Sequence, residues 1–226
     1  MKSRVIVFGN GQTSFITHFY LTHDSQYEVA AFTADEALIT DRELLGLPVV
    51  PFEEVEAIFP PGEYQMSVQA SFARLNQLRA EKYLAAKAKG YHLLSYVNSR
   101  ASVWPDLMMG DNCFIGENCV VQPFSEIGNN VVAWPSSVIS HHAKVGDHSF
   151  LAPSSVLLGN TTLGPYCILG ANSIIREHVS VAARCIIGAG AVVLRDTLEN
   201  GVYVGNPAAR MPLDSRQWLS WPNRRT

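Results

Sequence analysis

The sequence predicts a two-part chain, a small α/β domain leading into a parallel β-helix. Three observations carry that expectation. From Val97 to Val193 an aliphatic side chain recurs at every sixth position without a skip, a spacing that neither the α-helix nor the strand period produces. Four residues after each stands a second series, from Ala101, Leu107, Cys113 and Cys119 to Cys185 and Ala191, in which only Leu107 is bulky. Ahead of the repeat, apolar runs that read as strands alternate with helix-forming segments.

In that first part, residues 5–8 read as a strand, 13–22 as a helix and 29–32 as a second strand. Residues 52–59 fit a short helix and 65–68 a strand. Residues 74–89 are rich in helix formers and stop at Gly90, a suitable C-terminal cap before a strand over 91–97. The alternation predicts a Rossmann-like parallel sheet over residues 1–96, followed by the β-helix over 97–211 and a tail over 212–226.

Within the repeat, hexads such as residues 127–132 place an aliphatic side chain inside, then a glycine or polar turn, then a small inward residue. Three hexads close one triangular coil, so seventeen give between five and six coils. Glycines at the turn, including Gly110, Gly128, Gly146 and Gly170, are expected to relieve backbone conformations that a side chain penalises.

The composition narrows the function classes. With 226 residues, 47% hydrophobic and 16% charged, the chain is long enough for two cored domains and too apolar for disorder. A net charge of -3 supplies no general attraction to nucleic acid, and the basic cluster at residues 223–226 reads as a solvated tail. No leader peptide and no bilayer-length apolar run is evident, which predicts a cytoplasmic protein without membrane insertion. All four cysteines fall in the small-residue series, where a thiol serves as a buried lining group rather than in a disulfide or a metal site.

The hexads, followed by the segment 201–210 with Gly205-Asn206-Pro207-Ala208, resemble the left-handed β-helix acyltransferases. Phe8-Gly9-Asn10-Gly11 and Gly46-Leu47-Pro48-Val49-Val50 narrow the resemblance to two-domain sugar acetyltransferases. These are similar to bacterial nucleotide-sugar N-acetyltransferases of surface glycan and lipopolysaccharide pathways and to the sialic-acid O-acetyltransferase family. The likeness spans residues 1 to about 211 and leaves Trp218 and Trp221 unexplained. It implies a left-handed coil, a homotrimer, acetyl-CoA in the groove between neighbouring β-helices, and a nucleotide-activated sugar held partly by the N-terminal domain.

His141 and His142 fall at the two turn positions of their hexad, so both are expected at the coil's edge and not in its core. Acyl transfer from a thioester needs a base for the nucleophile's proton, and histidine titrates close to physiological pH. His141 matches the family's catalytic histidine, which implies the role of general base. His142 stands where relatives often carry a carboxylate and is an auxiliary candidate; Asp147 or a carboxylate from a neighbouring subunit is the alternative orienting group. The family's cofactor-contacting histidine aligns with Phe150, and Trp134 stands where some relatives have an asparagine near the acceptor. The family pattern also points to Ala171 and Ala189 for coenzyme A, although small residues are equally what the turn needs.

The strand running into Gly9-Asn10-Gly11 can bring backbone N–H groups and a helix N-terminus to a phosphate, with Ser14 where a third glycine completes the dinucleotide fingerprint. With the β-helix beside it, the expected sugar-nucleotide site comprises Gly11, Gln12, Thr13 and Asp35, with Ala70 at the next sheet edge. N-acetylation of an amino sugar is the first reading, and sugar O-acetylation the second. A β-helical zinc enzyme such as a carbonic anhydrase is disfavoured because His142 and His148, six residues apart, sit on successive faces, too far apart to share one ion; no metal is expected. A nicotinamide oxidoreductase lacks its full fingerprint, and a non-catalytic scaffold remains the third class.

Overall fold

The computed structural model describes residues 3–69 and 72–220. Ala70, Trp221 and the basic cluster at 223–226 lie outside the described residues.

The N-terminal sheet is built on β1 (Ser3–Phe8), whose unbroken apolar run is covered on both faces, as a central parallel strand must be. It is flanked by β2 (Tyr27–Ala34) and β5 (Tyr64–Val68), then β4 (Leu47–Pro51), β3 (Glu43–Leu44) and β6 (His92–Leu93), in the order β3-β4-β2-β1-β5-β6. All pairings are parallel except the hairpin β3–β4. Alternate residues of β1 enter two cores. Ile6 and Phe8 pack with Val55 of α2 (Val55–Ile58) and Tyr83 of α3 (Gln77–Ala88). Val5 and Val7 pack with Leu21 of α1 (Gln12–His23), and that same core takes in Tyr96, Phe114 and Val132 of the β-helix. The two parts therefore share buried apolar surface.

Two predicted elements are shorter than their sequence pattern. The helix expected over 74–89 starts at Gln77 because Arg74, Leu75 and Asn76 all have positive φ, of 51°, 57° and 60°. The strand expected over 91–97 is split: Leu94 N–H still donates to Met66 O, but Tyr96 N–H already donates to Cys113 O in the β-helix. The chain changes sheets within two residues.

The repeat forms seventeen two-residue strands, β7 (Tyr96–Val97) through β23 (Val192–Val193), each pairing in parallel with a strand eighteen residues away on the same face. The first face carries the strands starting at Tyr96, Phe114, Val132, Phe150, Ile168 and Ile186. The second starts at Ser102 and includes Val120, Val138 and Val156; the third starts at Met108 and includes Glu126, Lys144 and Thr162. Both hexad series point inward, and from Cys113 onward the aliphatic and small positions are almost all buried. The cysteines line this core, where burial pushes the Cys113 thiol up to about 11. The first face continues into β24 (Gly201–Val204) and antiparallel β25 (Ala209–Asp214). A short α4 (Ser215–Leu219) follows, capped by Asp214, and its Trp218 packs against the cluster of Leu75, Ile168, Ile186 and Val202.

The corner glycines have a different cause from the one expected. Left-handed backbone falls two residues later, at Asn112, Asn118, Phe124, Asn130, His142 and His148 among others. A Cβ on Gly146 would instead lie 2.6 Å from Pro165 N and 2.8 Å from Gly164 C in the next coil. Close approach of stacked backbones excludes the side chain there.

A polar ladder joins the domains at the corner between the third and first faces. The Asn112 amide accepts from Val68 N–H and donates to Val68 O, both at 2.8 Å, and donates to Asn130 Oδ1. The Asn130 amide in turn donates to His148 Nδ1 at 2.9 Å. The buried Arg79 of α3 donates through Nη2 to Asn76 Oδ1 and to the carbonyls of His148 and Ser149, and burial lowers its pKa to about 10. Burial likewise holds the His148 imidazole below its ordinary 6.5, with Asp147 opposing and Arg79 reinforcing. The unfolded chain thus binds a proton at a higher pH than the folded one, so stability falls as pH drops below about 6.5. In His148→Asn, which suits both the left-handed corner and the ladder, that acid loss is expected to shrink in thermal melts between pH 5 and 8.

Candidate active site

His141 and His142 occupy the corner between the second and third faces, and both side chains are exposed, as the hexad register predicts. The backbone N–H of His141 donates to Gln122 Oε1 at 2.9 Å, one coil back. His142 takes the left-handed position, with φ of 59°, and its ring lies 4.9 Å from that of Phe124, eighteen residues earlier at the same corner. The two imidazoles meet Nδ1 to Nδ1 at 3.2 Å. On its other side the His141 ring lies over Gly159 of the following coil, where an added Cβ would stand 2.7 Å from Nε2. Gly159→Ala is therefore expected to displace the ring and lower turnover by about 10²-fold, with little change in melting temperature because the ring can swing into solvent. Steady-state kinetics beside a thermal melt checks this.

Asp147 is not the group that orients His141. Its carboxylate accepts from Asn129 N–H at 2.8 Å at the next corner, leaving His142 as the described partner of His141 Nδ1.

The second cluster of candidates lies at the carboxyl edge of the N-terminal sheet, where strand order reverses between β1 and β5. Open α/β sheets place their ligands in that crevice. Gly9 has φ of 121°, and the Ser14 hydroxyl fills the space its Cβ would need. A serine at the third fingerprint position thus closes the turn. Gly11 caps α1 without a side-chain hydrogen bond; of the first-turn residues Thr13 lines the cleft beside the first face, while Gln12 is exposed and is not part of that lining. Asp35 follows β2, but its carboxylate is paired with Lys82 of α3, whose ammonium lies 5.6 and 5.4 Å over the rings of Phe8 and Phe52. Sequence reading missed Lys82, because a lysine within a helix pattern carries no signal of what it reaches across the sheet.

Between this edge and the first face runs a cleft of about 90 Å³, walled by Thr13, Ile16, Gln69, Phe114, Trp134 and Phe150 among others. Phe150 faces the N-terminal domain there, with its ring 5.1 Å from that of Phe72. Ala171 and Ala189 sit in successive coils at the corner between the first and second faces, the corner that also carries Trp134. A single chain therefore gathers Thr13, Phe150, Ala171 and Ala189 around the first face and its edge, and holds His141 and His142 at a different corner. Among the described residues no three His, Cys, Asp or Glu side chains converge on a metal-sized site, and His148 is committed to Asn130. No described helix is long and apolar enough to cross a membrane.

Residues 124–159 and 160–195 match the family described as bacterial transferase hexapeptide (six repeats), and residues 107–132 match the hexapeptide repeat of succinyl-transferase. No curated protein sequence matches the chain. Among solved structures, it is similar to PerB from Caulobacter crescentus in complex with CoA and GDP-perosamine, with a TM-score of 0.81 at 24% identity over 92% of this chain and 96% of that one. It is similar to the acetyltransferase domain of PglB from Neisseria gonorrhoeae in complex with acetyl coenzyme A, with a TM-score of 0.82 at 21% identity over 93% and 100%. WeeI from Acinetobacter baumannii matches with a TM-score of 0.76 at 20% identity over 92% and 99%. The fold is thus an N-terminal α/β domain followed by a left-handed β-helix.

Proposed function

We propose that the chain is an acetyl-CoA-dependent acetyltransferase that N-acetylates a nucleotide-linked amino sugar, with His141 as general base. The observation that carries this reading is the exposed His141 ring at a β-helix corner, engaged at Nδ1 by His142 and lying against Gly159 of the following coil. The relatives' ligands support it, since PerB is solved with CoA and GDP-perosamine and PglB with acetyl coenzyme A.

In this reading the acceptor amine attacks the thioester carbonyl, and the N–C bond forms as the C–S bond breaks. His141 Nε2 takes the amine's proton and passes it to the departing thiolate, while backbone N–H groups of the coil steady the oxyanion. Neither a covalent enzyme intermediate nor a metal is needed. The nucleotide lies along the carboxyl edge of the sheet at Gly11, Gln12, Thr13 and Asp35, and the sugar enters the cleft walled by Trp134 and Phe150. Backbone at Ala171 and Ala189 holds coenzyme A beside Phe150. Residues 1–96 thus serve the sugar nucleotide and 97–211 the transfer, while the expected tail from 212 is, as far as residue 220, the end of β25 and the helix α4 packed against the first face.

The separation of these groups from His141 within one chain supports a homotrimer in which each site borrows its base from a neighbour, a closed arrangement that identical subunits reach by rotation. A cytoplasmic place in surface-glycan assembly fits an acceptor activated by a nucleotide. O-acetylation of a sugar uses the same histidine in the same way and is the second reading. The test is thiol release from acetyl-CoA with a panel of nucleotide-linked amino and neutral sugars, together with the mass in solution. Release with an amino sugar and a trimer mass are expected; no release with any acceptor overturns the reading.

A further inference from the structure

We infer that His142 is a positioning residue that holds His141 in the one tautomer able to act as a base, the part a carboxylate would otherwise play. The inference rests on the acyltransfer reading and goes beyond it, because it assigns the direction of a hydrogen bond.

Two imidazole nitrogens 3.2 Å apart form a hydrogen bond only if one carries a proton and the other a lone pair. If His142 donates, His141 holds its proton on Nε2, and its only lone pair is spent on its neighbour. If His141 donates, its Nε2 is bare. Among the described residues nothing pairs with that nitrogen, and the exposed side chain leaves it open to an incoming acceptor, while Gly159 makes room for the ring itself. The second arrangement alone makes His141 a base through Nε2, and it requires His142 to present an unprotonated Nδ1.

The surroundings hold His142 to that task. Its backbone sits in the left-handed position, and its ring rests on that of Phe124 at 4.9 Å. The Gln122 amide oxygen accepts from the His141 backbone N–H at 2.9 Å, which anchors the backbone that carries the first ring. Asp147, the nearest carboxylate in sequence, is occupied at Asn129. When His141 takes the acceptor's proton, its Nδ1–H remains donated to His142, so the cation that forms keeps its hydrogen bond.

The chain itself supplies the discriminating variant. Asparagine fills the same left-handed corner one coil on at Asn160, and the equivalent position at the other corners at Asn112, Asn118, Asn130 and Asn172, so His142→Asn is compatible with the coil. Its Oδ1 stands close to where the imidazole Nδ1 stands, and it accepts but cannot take up a proton. With full-length protein, His142→Ala is expected to lower kcat ~10–100-fold at a KM within about twofold of the native value. His142→Asn should return kcat to within a few-fold, and nitrogen NMR of the rings should show His141 bare at Nε2 in the native chain and in the asparagine variant. Full activity in His142→Ala overturns the inference. So does an asparagine variant as slow as the alanine one, or a native His141 protonated on Nε2. If the native chain releases no coenzyme A with any acceptor, the acyltransfer reading fails, while the NMR tautomer still decides the role of His142.

Discussion

His141→Ala lowers kcat for acetyl transfer by about 10²–10⁴-fold, the range a positioned general base contributes, with KM for acetyl-CoA little changed. The fold should not notice. The side chain is exposed, and the corner's hydrogen bond to Gln122 is made by the backbone N–H, which alanine keeps. Surface changes of that kind stay within about 0.5 kcal/mol. The comparison to make is thiol release beside a melting curve for native and variant protein. Undiminished release by a folded variant removes His141 from the reaction and, with it, the observation on which the functional reading stands.

Gly146→Ala destabilises the β-helix by about 2–3 kcal/mol, as overpacking of a close contact does. A methyl group there would meet Pro165 N at 2.6 Å, Gly164 C at 2.8 Å and Leu163 O at 2.9 Å, all of them backbone of the next coil. No side-chain rotation relieves that contact, so two coils must separate, in a stack whose hydrogen bonds run between coils, as from Gly146 N–H to Leu163 O at 2.7 Å. For a chain of this size the melting temperature should fall by roughly 5–10 °C. Gly62→Ala is the control, since nothing lies within 4 Å of its added Cβ. Equal melting temperatures for the two variants sink the explanation offered for the corner glycines.

The N-terminal boundaries show where sequence reasoning stops. Arg74 and Leu75 have helix-forming identities yet, with Asn76, take left-handed backbones, because the turn that carries α3 toward the β-helix overrides their propensity. Residues 91–97 read as one strand, yet the two halves pair with different sheets. Propensity describes a residue's neighbours along the chain, and both of these outcomes were set by neighbours across it.

What the sequence by itself determined is the sidedness of the repeat. The direction of a side chain from an extended coil is local and repeats with the chain, so a six-residue period was enough to put the cysteines inside and His141 and His142 at an edge. What only the tertiary structure decided is which groups meet there. Coil closure brings residues eighteen apart into register, so Gln122, Phe124 and Gly159 frame the histidines while the nearby Asp147 turns to Asn129. Packing of α3 across the sheet likewise delivers Lys82 to Asp35. Side-chain direction is a property of the backbone at one residue, whereas a contact needs two segments placed in space, and that placement follows from the packing of the whole chain.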